Sequence, residues 1–291
     1  MSILGQRYDL GDRALWLHRE AGDGPAVVFL PGAGLVGLDF LAAQRATGGA
    51  VVYDRAGTGW SDPAPLPRTA AEVATELRAL LRAADVSGPV ILAGHSLGAF
   101  YARRFAQLFP TEVAGLLLLD PGHEDIFEFL PPEAKALDDG MKRHTEAMPD
   151  LTEEQLAAAR GQYAQLYADW PAAERAALTD YHLAHWRTAI EETRTFDTAI
   201  YAELRGGGPL PDVPLIVLTA GARNPFWAAF ADADLVTRAH QGIEAMHAAM
   251  AASVPRGEHR VVADAAHGLL PMTRPAEIAS AVSALRASVA G

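Results

Sequence analysis

The chain has no cysteine. A disulfide framework, a thiolate metal site and a cysteine nucleophile are thereby excluded, and a cytoplasmic protein without a resident metal is expected. Positive charge is scarce: 24 Lys and Arg stand against 36 Asp and Glu, for a net charge of -12 and no basic run. Such a surface repels phosphate backbones, so nucleic acid is not an expected partner. Long apolar runs are missing as well. The best candidate, residues 26–43, is broken by Pro31, by Gly32, Gly34 and Gly37, and by Asp39, so no membrane span is expected. Residues 1–9 lack the basic-then-apolar order of a secretory leader. The chain shows neither an internal repeat nor a low-complexity linker.

What it does have is apolar material in short, ordered runs. Hydrophobic residues make up 50% of the 291 residues, enough for a sizeable core. Residues 8–10 and 14–18 flank Gly11-Asp12 and predict a hairpin. Residues 26–30, 50–53, 89–93, 113–119 and 214–219 read as buried strands, and 259–263 as the last strand. Thr69 is placed to cap a helix reaching about Ala84. Helices also follow Gly98, span 233–253 and start at Pro275. This alternation predicts an α/β fold with a mostly parallel central sheet and helices on both faces. Ligands of such sheets sit at the carboxyl ends of the strands, so the loops after Leu30, Ala93 and Leu119 are expected on one edge. Between Gly122 and Gly208 the strand signal stops, and 133–148, 152–169, 172–186 and 188–204 read as helices. The expected division is a core of residues 1–121 and 209–291 and a helical lid, 122–208, inserted after the sixth strand. Most of the lid aromatics, Trp170 and Tyr201 among them, are expected to pack it onto the core.

One pentapeptide organises the rest: Gly94-His95-Ser96-Leu97-Gly98, between a strand and a helix. A G-x-S-x-G in that setting is the nucleophile elbow of a serine hydrolase. The turn strains the serine backbone, side chains at 94 and 98 would collide with the neighbouring strand and helix, and the hydroxyl is held out within reach of a base. His95 is expected to point to the opposite side of the turn and to be structural. His182 and His185 can share a helix face, but no further ligands make a metal site with them.

Three more stretches stand at strand ends: Pro31-Gly32-Ala33-Gly34, Asp54-Arg55-Ala56-Gly57-Thr58-Gly59-Trp60-Ser61, and Ala266-His267-Gly268 before the terminal helix. With the elbow, and in this order, they resemble the α/β-hydrolase superfamily over nearly the whole chain. The resemblance implies His267 as the base, in the chain order Ser…Asp…His. It implies an oxyanion hole made by the backbone N–H groups of Leu97 and Ala33. Pro31 stands where many relatives carry histidine, which removes a side-chain support of that loop but not the donor. Asp54 and Arg55 read as a buried charge pair among glycine turns. The glycines at 32, 34, 57 and 59 fall in separate loops and make no dinucleotide site, so no cofactor is expected.

The acid departs from the usual pattern. Relatives place an aspartate in the loop after the penultimate strand, where this chain has Asn224. A neutral amide there cannot stabilise an imidazolium, at a cost of about 10⁴ in rate, or ~5.5 kcal/mol. Asp120, at the end of the preceding strand, is the chosen acid, a strand end that some superfamily members use. Asp232, Asp234, Glu124 and Asp125 are the alternatives. The expected activity is hydrolysis of a small carboxylic ester or lactone with an apolar or aromatic part, since the lid is rich in aromatics. An amide or C–C bond would use the same parts, and a slow or non-catalytic ligand receptor is the reading from another class. Serine at position 96 argues against dehalogenase and epoxide-hydrolase chemistry, which this superfamily runs from an aspartate. A monomer or homodimer is expected.

Overall fold

The computed structural model describes residues 3–290, apart from the side chains of Pro225, Phe226 and Ala290; Met1 and Ser2 of the N-terminal stretch lie outside it. β1 (Gln6–Asp9) and β2 (Ala14–Arg19) form the expected antiparallel hairpin. β3 (Val27–Leu30), β4 (Ala50–Tyr53), β5 (Val90–His95), β6 (Val113–Leu119), β7 (Leu215–Ala220) and β8 (Gly257–Val262) complete one sheet in the order β1-β2-β4-β3-β5-β6-β7-β8. Every pairing from β4 to β8 is parallel.

The buried strands carry apolar side chains on both faces because helices cover both. Val28, Leu30, Leu92, Leu116, Leu118 and Val217 face one core with α2 (Ala70–Ala83) and α3 (Leu97–Leu108). Their neighbours Val27, Phe29, Ile91, Leu117 and Ile216 face the other, with α1 (Leu41–Thr47) and residues of the terminal helix. The helix at 70 starts after the expected Thr69 cap, which closes as a capping box: Thr69 Oγ1 accepts from the Glu72 N–H (3.2 Å), and Glu72 accepts from the Thr69 N–H (2.9 Å).

Between β6 and β7 the chain runs through α4 (Ile126–Phe129), α5 (Glu133–Glu146), α6 (Glu153–Leu166), α7 (Ala172–Ala184), α8 (Thr188–Thr193) and α9 (Tyr201–Gly206). Residues 188–204, expected as one helix, are broken by a π-helical turn, Phe196–Ile200. Phe196 meets the core ring of Phe100 edge-on (5.0 Å between centres), and Tyr201 stacks on the same ring (5.6 Å). Two residues five apart do not share a face at 3.6 residues per turn, whereas the wider π turn brings them round. After β7 come α10 (Pro225–Ala228) and α11 (Ala233–Ala252); after β8 come α12 (Leu270–Thr273) and α13 (Pro275–Ala290). Among the described residues no helix is long and apolar enough to cross a membrane.

Register sets the strand ends level. Leu30 pairs with Gly94, His95 with Leu119, Leu119 with Leu218 and Ala220 with Val262. The loops that follow therefore open on one edge of the sheet. The elbow is packed without slack: a methyl group on Gly98 would lie 2.1 Å from the Leu30 carbonyl oxygen. Gly98→Ala is expected to cost at least about 2 kcal/mol, since backbone rather than a flexible side chain must yield. A urea midpoint equal to that of the wild type would show that the elbow can relax.

Candidate active site

Ser96 sits between β5 and α3 with φ 50 and ψ -115. A residue with a side chain rarely adopts this backbone geometry, and it is held from two directions: the Ser96 N–H donates to the Leu119 carbonyl of the neighbouring strand (3.1 Å), and its own carbonyl accepts from the Ala99 N–H in the first turn of α3 (3.0 Å). The Ser96 Oγ stands 3.1 Å from His267 Nε2. His267 lies in the turn after β8, and its Nδ1–H donates to Asp120 Oδ2 at 2.5 Å. Asp120 follows β6 directly, also at positive φ (44). Its Oδ1 accepts from the Ala220 N–H at the end of β7 (2.9 Å), so the carboxylate is fixed at both oxygens.

Burial alone would lower the His267 pKa. The hydrogen bond and charge of Asp120 outweigh it, and the net shift is upward from the ordinary 6.5. Burial would raise the Asp120 pKa, but the hydrogen bond and charge of His267 hold the carboxyl below its usual range.

The alternatives for the acid are engaged elsewhere. Asp232 caps α11 through the Leu235 N–H, and Asp234 pairs with Arg238. Glu124 forms two short bonds to Arg103, and Asp125 pairs with Arg205. Asn224 lines the cavity beside His267. His95 does not point away from the base. Its ring packs on His267 (5.1 Å between centres), and its Nε2–H donates to the His267 carbonyl (2.8 Å). Burial, then the neighbouring His267, pushes its pKa down to about 3, so it stays neutral in that role. Behind Asp120, the His247 Nε2–H donates to the Pro121 carbonyl (2.8 Å), and His247 Nδ1 accepts from the Thr219 hydroxyl (2.8 Å). Nothing local in the sequence marks His247, which lies on α11 far along the chain.

Ala33 stands in the loop after β3, and Leu97 opens α3, where an amide has no intrahelical partner. The expected Asp54–Arg55 charge pair turns to separate partners. The Asp54 carboxylate accepts from the Gly37 N–H (2.7 Å) and the Trp60 N–H (2.8 Å), and burial raises its pKa to about 7. Arg55 reaches Glu192 of α8 instead, at 2.6 Å. Asp39, noted in the sequence only as a break in an apolar run, is fully buried. It accepts from the Tyr167 hydroxyl (2.6 Å) and from His182 Nε2–H (3.0 Å), both on the helical segment.

Two cavities flank Trp227. One of about 180 Å³ lies on the His267 side, lined by Ser96, Ile126, Ala222, Trp227, Ile243 and Met246 among others. The other, about 360 Å³, lies on the Ala33 side between Met141, Ala189, Ile190, Thr193 and Phe196, with Trp227 common to both. Among the described residues one group, His123, Glu124 and Asp125, has metal-capable atoms within 4.8 Å of one another. Its carboxylates are already paired with the two arginines.

The profile of the alpha/beta hydrolase family matches residues 27–281, the stretch from β3 into the terminal helix that holds all these strand ends. The chain belongs to this family. Uncharacterized protein YqjL of Bacillus subtilis is 35% identical over 136 residues, 45% of this chain and 51% of that one. This alpha/beta hydrolase chain spans about half or less of the length of the first curated relatives it matches. An esterase from Thermogutta terrifontis is 20% identical with a TM-score of 0.58, over 98% of this chain and 99% of the other. Est816, an N-acyl homoserine lactone degrading enzyme, is 19% identical with a TM-score of 0.60, over 96% and 99%. At these identities the two structures show a common fold.

Proposed function

We propose that the protein is a serine hydrolase of small carboxylic esters or lactones. The hydrogen-bonded line from the Ser96 hydroxyl through His267 to Asp120, with links of 3.1 and 2.5 Å, supports this above all. A carboxylate can only accept at Nδ1, so the Nε2 lone pair faces the serine. When the hydroxyl attacks an acyl carbonyl, Nε2 takes its proton, and the imidazolium lies against Asp120. The oxyanion is met by the N–H groups of Ala33 and Leu97. His267 then protonates the departing alkoxide, leaving the acyl group on Ser96. Water gives a proton to the same imidazole as it attacks, and the acid and free serine result.

The two cavities suit the two halves of such a substrate. The leaving oxygen must lie within reach of Nε2, which puts the alcohol in the smaller cavity and the acyl chain in the larger, under the helical lid. A lactone joins the halves in one ring. Relatives on this fold include an esterase and a lactone-degrading enzyme by name. The test is covalent. A fluorophosphonate is expected to add one equivalent to the Ser96 peptide by mass spectrometry, and p-nitrophenyl butyrate to be turned over steadily. If neither happens, the protein is a ligand-binding member of the fold and the proposal is wrong.

A further inference from the structure

The Gly32 carbonyl and the Ala33 N–H belong to one trans peptide unit and point in opposite directions. Whatever holds that carbonyl aims that N–H. Here Arg55 holds it: Nη2–H donates to the Gly32 carbonyl (3.1 Å), and Nη1–H to the Pro31 carbonyl (2.6 Å). Arg55 is held in turn by Glu192 Oε1, which accepts from Nη2–H at 2.6 Å and Nε–H at 3.0 Å. The other oxygen of Glu192 accepts from the Gly34 N–H (2.8 Å). One carboxylate on α8 thus fixes the loop on both sides of Ala33, directly at Gly34 and through Arg55 at residues 31 and 32. Both charged side chains are out of water, at 1% and 2% exposure, where such bonds are strong and their geometry is tightly set. The helix also touches the loop. A methyl group on Gly34, which has φ +72, would lie 2.9 Å from the Ala189 side chain. Ala189, Ile190 and Thr193 of the same short helix line the larger cavity.

We infer that Glu192 is a positioning residue for the oxyanion hole, so that the lid, and not the core alone, aims the Ala33 N–H at the acyl oxygen. The inference rests on the ester-hydrolase proposal. A pin that served only stability has no need to spend both oxygens on the loop carrying an oxyanion donor. Nor does it need a helix that also walls the acyl cavity.

In Glu192→Gln one oxygen becomes an amide that cannot accept, so one of the two attachments is lost. The kcat for p-nitrophenyl butyrate is expected to fall roughly 10- to 100-fold, short of the 10²–10³ that follows outright loss of a donor, with KM within about twofold. A trifluoromethyl ketone of matching shape, which forms an oxyanionic adduct with Ser96, is expected to lose affinity by the same factor. The non-fluorinated ketone is expected to bind as before. Arg55→Met combined with Glu192→Leu removes both buried charges together, which such sites tolerate better than removal of one. This double variant leaves the Pro31 and Gly32 carbonyls and the Gly34 N–H unpaired, so its urea midpoint is expected to fall while unfolding stays cooperative, and it is expected to show the same loss. A folded variant with full kcat and unchanged affinity for the fluorinated ketone overturns the inference. So does a loss confined to KM, or a kcat loss that leaves that affinity intact. If wild-type protein neither turns over the ester nor traps the ketone, the hydrolase proposal itself has failed.

Discussion

Ser96→Ala is expected to lower kcat for an ester by about 10⁵–10⁶-fold while leaving the fold in place. On the proposed mechanism the acyl group is carried by this one oxygen, and among the described residues no other hydroxyl is hydrogen-bonded to His267. What remains is the oxyanion hole and the cavities acting on free water, a residue of catalysis that other triad enzymes also keep. Among the described residues the hydroxyl makes one hydrogen bond, to the partly buried His267 ring, so its loss should move stability by no more than about 0.5 kcal/mol. The backbone strain belongs to the position rather than the hydroxyl. Ser96→Gly, whose backbone accepts φ 50 and ψ -115 without a Cβ clash, should be equally inactive yet more stable by about 1–3 kcal/mol. Denaturant unfolding of the two variants beside the wild type checks both signs. Activity in Ser96→Ala above about 1% of wild type, after exclusion of wild-type contamination, would place the nucleophile elsewhere.

Asp120→Asn is expected to cost about 10⁴ in kcat. An amide turned toward His267 can donate to Nδ1, which moves the ring proton to Nε2 and leaves no base facing the serine. The pH dependence carries a sign. The proposed reaction needs neutral His267, and burial lowers its pKa while Asp120 raises it with the larger combined effect. Wild-type kcat/KM should therefore fall as pH drops through a value above 6.5. In Asp120→Asn only the lowering effect remains, so the acid limb should move to lower pH. Profiles between about pH 5 and 9 measure this. Asp232→Asn is the useful control: its side-chain oxygen caps α11, a role asparagine fills about as well, so it should keep both its stability and the pH profile. An unchanged limb in Asp120→Asn would show that His267 takes its charge partner from another group.

The buried strands could be read from the sequence because apolar runs of four to seven residues bounded by turn residues are a local signal. The elbow could be read for the same reason. Its glycines answer to neighbours a few residues away and to the adjoining strand, and Gly98 against the Leu30 carbonyl is that constraint in atomic terms. The contact of Asp120 with His267 follows from chemistry rather than pattern, since a neutral amide at Asn224 cannot pair with an imidazolium, and the parallel register brings the ends of β6 and β8 near enough for it. The single helix expected over 188–204 does not form. Its break is set by Phe100, almost a hundred residues earlier, and a helical period carries no trace of that ring.

The sequence by itself determined the architecture, the position of the strained turn at Ser96 and the short list of charged partners, because local sterics and the need to ionise correctly act on each residue type directly. Which charges meet was decided only by the tertiary structure. Glu192 is 137 residues from Arg55, and Asp39 is more than a hundred from both Tyr167 and His182. A buried charge must find a partner, but its identity depends on which helix the folded chain lays across the strand ends.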